Sequence, residues 1–278
     1  MIRSKKENKM IIKKLRENPL FTALFLVTIY ALWFIVPMFF KDIDPNAKGI
    51  VGIEGAIKEG WHELVTASAL VIFLSLLGWW QKIGFTSIKK GSFKFILPII
   101  VIILIVLNLS WVYDTSGKAF MGFDSTLQLL RLLGVMLLLG FVEEGIFRGV
   151  LFYGLRSHFT PLASVFTSAL IFGLFHFVNI FTGAEVLTTL YQVIHAFAMG
   201  FLYASLRLKL GALWPLIILH AMWDFSFFIL QSTIQSPDNT SVSMTAGLSI
   251  SIPALIYGIF VYWRWSKSTY TTMDKINY

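Results

Sequence analysis

The stretch GFVEEGIFRGVLF, residues 140–152, places two adjacent carboxylates and an arginine inside the apolar run Leu129–Leu155. A charged side chain at the middle of a transmembrane helix costs about 2.5–3.5 kcal/mol on insertion scales, so each one needs a partner, a watery cavity or a chemical task. The rest of the chain decides whether this run crosses a membrane. Of 278 residues, 56% are hydrophobic and only 14% charged, and the mean hydropathy is +0.74. A soluble domain of this length cannot bury so much apolar surface, so the chain reads as an integral membrane protein. It has no cysteine, which excludes disulfides, thiol nucleophiles and cysteine-ligated metals. The formal net charge of +8 does not point to nucleic acid, because the cations sit in short segments between apolar runs rather than on one face.

About 20 apolar residues cross a bilayer core as a helix. Windows of that kind predict an all-α polytopic bundle with eight transmembrane helices: Leu20–Phe40, Leu64–Trp80, Phe95–Val112, Leu129–Leu155, Pro161–Ile180, Leu187–Leu206, Leu213–Leu230 and Leu248–Trp265. Lysines and arginines mark the cytoplasmic side. Seven precede the first span, and the connections on that same side bring the total to eighteen; only Lys41, Lys48, Lys58 and Lys118 fall on the other, with Arg131 in or near a span. Both termini are therefore expected in the cytoplasm. The first span follows a basic stretch as a signal peptide does, but its apolar core is too long and lacks a small-residue cleavage site, so it reads as a retained helix. The basic arm serves as a topology signal that also attracts anionic lipid headgroups. The outer connection KDIDPNAKGIVGIEGAIKEGWHE is predicted to hold a short surface helix near Glu54–Trp61, and Trp79, Trp80, Trp263 and Trp265 read as interface anchors.

The polar residues within the spans are few: Glu143, Glu144 and Arg148 in the fourth, His176 in the fifth, Gln192 and His195 in the sixth, His220 and Asp224 in the seventh. Glu144 and Arg148 stand four apart with the acid first, the favourable order for a helical ion pair. Glu143 lies about 100° around the helix and is left to face something else. His220 and Asp224 are also four apart, and a carboxylate one turn from an imidazole can fix its tautomer. Gly145 and Gly149 form a small-residue patch that lets a neighbouring backbone approach. Glu143 lies thirteen residues from Arg156 and His220 thirteen from Arg207, so both fall roughly 20 Å along their helices from the cytoplasmic ends and can meet. His176 lies a little deeper, and His195 is at a compatible depth.

Carboxylates and imidazoles gathered in a partly dry cavity can activate water. Glu143 can take the proton, a histidine bonded to the same water can share the task, and a second histidine can donate to a developing oxyanion. Amide hydrolysis is the natural reaction for that set. The same residues also suit a zinc shell, with Glu143, His176 and His220 as ligands and a fourth position for water. A non-enzymatic scaffold or a solute pathway built on the same buried charges is the alternative from another class. Three other intramembrane protease chemistries lack their residues: His62-Glu63 is not followed by a second histidine at HExxH spacing, Tyr113-Asp114 has no GxGD partner, and no GxSG loop is present.

EEGIFR (143–148), FGLFH (172–176) and HAMWD (220–224) resemble, in order, the EExxxR, FxxxH and HxxxN/D motifs of the type II CAAX prenyl protease family, also called CPBP or Abi intramembrane proteases. The resemblance covers about residues 125–232. It divides the chain into a basic arm with three helices (1–124), a protease core (125–232) and a last helix with its tail (233–278). It implies an α-helical membrane endopeptidase that acts on a membrane-associated peptide or protein from the cytoplasmic side, without nucleic acid. By that resemblance Glu143 activates water with His176, His220 and Asp224 stabilise the oxyanion, and Glu144 and Arg148 complete and brace the site. The implied mechanism needs no cofactor, with zinc as the alternative. Asp224 stands where the prenyl-processing branch usually has asparagine, and its extra negative charge favours orienting His220 or binding a metal. The family includes bacterial members linked to bacteriocin immunity and pheromone processing, so a bacterial plasma membrane is the expected location.

Overall fold

The computed structural model describes residues 2–36, 52–112, 126–181, 183–233 and 239–276. Among these residues the fold is helical, with no strand. A short basic helix, α1 (Ile2–Glu17), meets α2 (Pro19–Ile35) at a bend of 104°. The bend follows from Asn18-Pro19. Proline disfavours the helical conformation in the residue before it but is well placed as the first residue of a new helix. Asn18 accordingly has φ −120° and ψ 69°. Arg16 reaches from α1 to the Leu76 carbonyl at 2.6 Å, at the C-terminal end of α3 (Gly52–Leu77). A cation there suits the unpaired carbonyls of a helix end. The expected surface helix near Glu54–Trp61 is not separate: it is the first part of α3.

The remaining helices are α4 (Leu97–Val112), α5 (Thr126–Glu144), α6 (Phe152–Arg156), α7 (Pro161–Phe175), α8 (Val178–Phe181), α9 (Val186–Leu210), α10 (Trp214–Thr233) and α11 (Asn239–Ile276). A seven-residue π-helical segment, Gly145–Leu151, joins α5 to α6. Within the described residues, three stretches are long and apolar enough to cross a membrane: Gly60–Leu77, Pro161–Phe181 and Val186–Leu210. The bent α1–α2 pair makes a fourth if counted as one span, and Leu97–Ser110 and Trp214–Leu230 are shorter apolar helices. The outward faces carry exposed Val101, Leu104, Ile105, Ile252 and Ile256. Such a surface belongs in lipid rather than water. The chain is a helical membrane protein. The end of the first predicted span and the outer connections with Lys41, Lys48 and Lys118 lie outside the described residues.

Lipid is as apolar as leucine, so helices in a membrane associate through close packing rather than water exclusion. Gly140 shows how close: a Cβ built there would stand 2.8 Å from the Ile217 carbonyl oxygen and 3.2 Å from the Ala221 nitrogen. Leu132, Met136, Ala221, Phe225 and Ile229 fill the rest of the α5–α10 contact. Phe152, Val165, Ala169, Phe201 and Ala204 join α6, α7 and α9. At the end predicted to be cytoplasmic, Gly211 closes α9 with φ +73°, a left-handed conformation that favours glycine. The turn there is tied to the segment after α3: Leu213 N–H donates to the Gly84 carbonyl at 2.7 Å and Lys89 N–H to the Leu210 carbonyl at 2.8 Å. One interface expectation fails here. Trp79 is fully buried, edge-on to Tyr153 at 5.1 Å, so it is a core residue and not an anchor.

Candidate active site

Glu143 and Glu144 are the last two residues of α5, and the π segment begins directly after them. π turns inside helices are rare and concentrate at functional sites. Every residue of this one is buried. Ser168 of α7 donates to the Phe147 carbonyl at 3.0 Å, satisfying one backbone group of the widened helix.

Glu144 is the centre of the cluster. Its Oε1 lies 3.0 Å from Arg148 Nη1, and both side chains are wholly buried. The contact is an ion pair by distance rather than an aligned hydrogen bond: Arg148 Nε, Nη1 and Nη2 and Glu144 Oε2 have no hydrogen-bond partner among the described residues. The guanidinium lies 3.9 Å above the centre of the Phe172 ring, with Tyr203 at 5.8 Å. Gly200 leaves it room, since a Cβ there would meet Nη2 at 3.2 Å.

The same Glu144 Oε1 takes a 2.8 Å hydrogen bond from His220 Nδ1. That bond places a proton on Nδ1 and turns Nε2 toward two further carboxylates. Nε2 lies 3.4 Å from Glu143 Oε2 and 3.3 Å from Asp224 Oδ2. These distances exceed a good hydrogen bond, as catalytic contacts often do before substrate draws them in. His220 thus bridges three acids drawn from two helices.

His176 caps the C-terminal end of α7, and its Nδ1 bonds the Phe172 carbonyl at 2.9 Å. With Nδ1–H donating, Nε2 is the acceptor. His176 makes no hydrogen bond to Glu143; it approaches the cluster across Phe172, whose ring lies 4.9 Å from His176 and 6.3 Å from His220. The structure therefore gathers Glu143, Glu144, Arg148, His220 and Asp224 directly, with His176 one ring away. His195 goes elsewhere: its Nδ1 is 3.0 Å from Ser251 Oγ and its ring stacks near Trp223 at 6.1 Å. Gln192 accepts from Asn179 at 2.8 Å.

The zinc alternative calls for Glu143, His176 and His220 to converge on one point. Among the described residues no group of three His, Asp or Glu side chains converges to hold a metal ion. His220 directs both ring nitrogens at carboxylate oxygens, and His176 spends Nδ1 on a carbonyl.

Two side chains that sequence reading passed over also face the cluster. Tyr203 of α9 lies 5.9 Å ring-to-ring from His220, and its buried hydroxyl has no hydrogen-bond partner among the described residues. Glu63 of α3 is near enough to Glu143 for their charges to act on each other. It stands one residue before the predicted second span, where an acid is readily taken for a boundary. The face Gly60, Glu63, Ala67, Leu70, Leu74 follows helical periodicity and would have revealed it.

No curated protein matches the chain. Residues 125–226 match the family model described as type II CAAX prenyl endopeptidase Rce1-like, the family that the three motifs resemble, and the matched stretch contains every residue of the cluster from Glu143 to Asp224.

Proposed function

We propose that the protein is an intramembrane endopeptidase in which Glu143, working with His176, activates water and His220 with Asp224 stabilises the oxyanion. The observation that carries this reading is the junction at His220, where motifs distant in sequence meet in one buried cluster. Glu143 Oε2 accepts a proton from water, and the hydroxide formed attacks the carbonyl carbon of the scissile bond. His176 Nε2 accepts a hydrogen bond from the same water and aims it. The carbonyl oxygen becomes an oxyanion that takes a hydrogen bond from Nε2–H of His220, which acts here as an imidazolium with a proton on each ring nitrogen, its charge held by the carboxylates around it. Collapse breaks the C–N bond, and the proton held by Glu143 passes to the leaving amine. Glu144 keeps His220 in register and Arg148 offsets the charge of Glu144. No step uses a metal or another cofactor.

The reading extends to eight membrane crossings with both termini cytoplasmic, a protease core over 125–232 between flanking helices, and residence in a cell membrane. The charge bias of the connections supports this topology. The substrate is a membrane-associated peptide or protein. The test is cleavage of membrane-tethered peptides by the purified protein, comparing wild type, Glu143→Gln and a chelator-treated sample. Cleavage that survives chelation and falls about 100-fold or more in Glu143→Gln supports the reading. Equal cleavage by the variant, or loss on chelation restored by added metal, overturns it.

A further inference from the structure

Glu63 is a half-buried acid, its Oε2 closed off from the surface, for which the proposed mechanism has no use. The α3 face bearing it packs on α5. A Cβ on Gly60 would run into the Val135 side chain, and one on Gly145 would meet Leu70 Cδ2 at 2.8 Å. These two approaches fix a parallel register, with residue 60 level with 135 and residue 70 level with 145. Glu63 then lies level with residue 138, about 7.5 Å along the helix from Glu143 and on the side away from Arg156. Trp33 of α2 and His62 of α3 approach to 6.1 Å, which brings Tyr30, three residues earlier on α2, to within about 3 Å of the height of Glu63. Tyr30 is buried and close enough to Glu63 and Glu143 to feel both charges.

The charges around the site do not balance. Glu144 has Arg148 and His220, while Glu143 and Asp224 share His220 Nε2. Glu63 has no cationic partner among the described residues, and its buried Oε2 has no hydrogen bond. A carboxylate oxygen closed off from water without a counter-charge or hydrogen bond is costly. Beside it runs an aromatic wall: Tyr30 stacks on Phe175 at 4.8 Å, Phe175 meets Phe147 at 5.4 Å, and Phe175 stands 6.2 Å from His176. A carboxylate next to aromatic faces is the chemistry that receives an ammonium or guanidinium group.

We infer that Glu63 and the Tyr30–Phe175 wall form a substrate subsite for a cationic side chain, lysine or arginine, close to the scissile bond. This rests on the endopeptidase reading. The four-carbon stem of a lysine suits the offset between Glu63 and Glu143. A neutral peptide leaves Glu63 unpaired, whereas a cationic one neutralises it out of water.

The test uses the full chain in lipid nanodiscs and membrane-tethered peptides that differ at one position, lysine against acetyl-lysine, with that position walked along the peptide. Equilibrium binding and cleavage are read separately. At one position lysine should bind about ten-fold or more tightly than acetyl-lysine, the scale of a hydrogen bond to a charged group. That ratio should fall to within about two-fold of unity in Glu63→Gln and partly return in Glu63→Asp. The acetyl-lysine comparison in wild type needs no variant, so a folding defect cannot mask the result. A ratio near one at every position, or a preference that survives Glu63→Gln, overturns the inference. Selective binding without cleavage would leave the subsite standing and remove the endopeptidase reading; cleavage without selectivity would do the reverse.

Discussion

Glu144→Gln tests whether the buried ion pair holds the site together. The substitution keeps the shape of the side chain and an acceptor for His220 Nδ1, but it leaves Arg148 wholly buried without its counter-charge. Removing one partner of a buried pair costs about 3–5 kcal/mol. Even the lower value is roughly a 150-fold change in the unfolding equilibrium. Arg148→Met should cost less, because Glu144 keeps the hydrogen bond from His220. The double variant Glu144→Gln/Arg148→Met has no orphaned charge and should be more stable than Glu144→Gln alone by about 2 kcal/mol. Reversible unfolding of the four proteins in mixed micelles, followed by tryptophan fluorescence, measures the cycle without reference to catalysis. If Glu144→Gln lies within about 0.5 kcal/mol of wild type, or the double variant equals the sum of the singles, Arg148 does not depend on Glu144 and the reasoning is refuted.

Gly140→Val forces a side chain into the 2.8 Å approach to the Ile217 carbonyl. It should cost about 1–3 kcal/mol in unfolding and lower cleavage by moving His220 away from Glu143. Asp224→Asn keeps the shape of the residue facing His220 Nε2. If Asp224 orients the ring, kcat should fall by roughly ten-fold with KM little changed, and a loss as complete as that of Glu143→Gln would contradict that role. His195→Ala removes an imidazole that faces Ser251 and Trp223, so peptide cleavage should stay within about three-fold of wild type. A loss of 100-fold or so would put His195 in the site.

The helical membrane architecture was legible because uninterrupted apolar windows leave few alternatives in lipid, where backbone groups must bond within their own segment. What escaped the reading were local events inside such windows. The 104° bend at Asn18 was signalled by Pro19, but a hydropathy window averages across it. The continuity of Glu54–Trp61 with α3 was hidden because its polar residues resemble a connection, though helical bonding does not stop where hydropathy falls. Trp79 was misplaced for a related reason. A tryptophan at a span end sits equally well at a headgroup or against a neighbouring helix, and only the position of Tyr153 decides between them.

The site followed the same division. Spacing of four brought Glu144 to Arg148 and His220 to Asp224, because one helical turn dictates both contacts. Spacing could not show that Glu144 also holds His220 Nδ1, since that contact depends on α5 and α10 closing to backbone distance at Gly140. Nor could it show the π segment, which lies in a sequence indistinguishable by period from α-helix. The consequence is physical. One oxygen, Glu144 Oε1, serves both the arginine and the imidazole, so the interaction that offsets a buried charge also sets the direction of His220 Nε2. A substitution at Glu144 must therefore affect stability and site geometry together, whereas one at Glu143, which has no arginine to hold, can remove a proton acceptor and leave the fold intact.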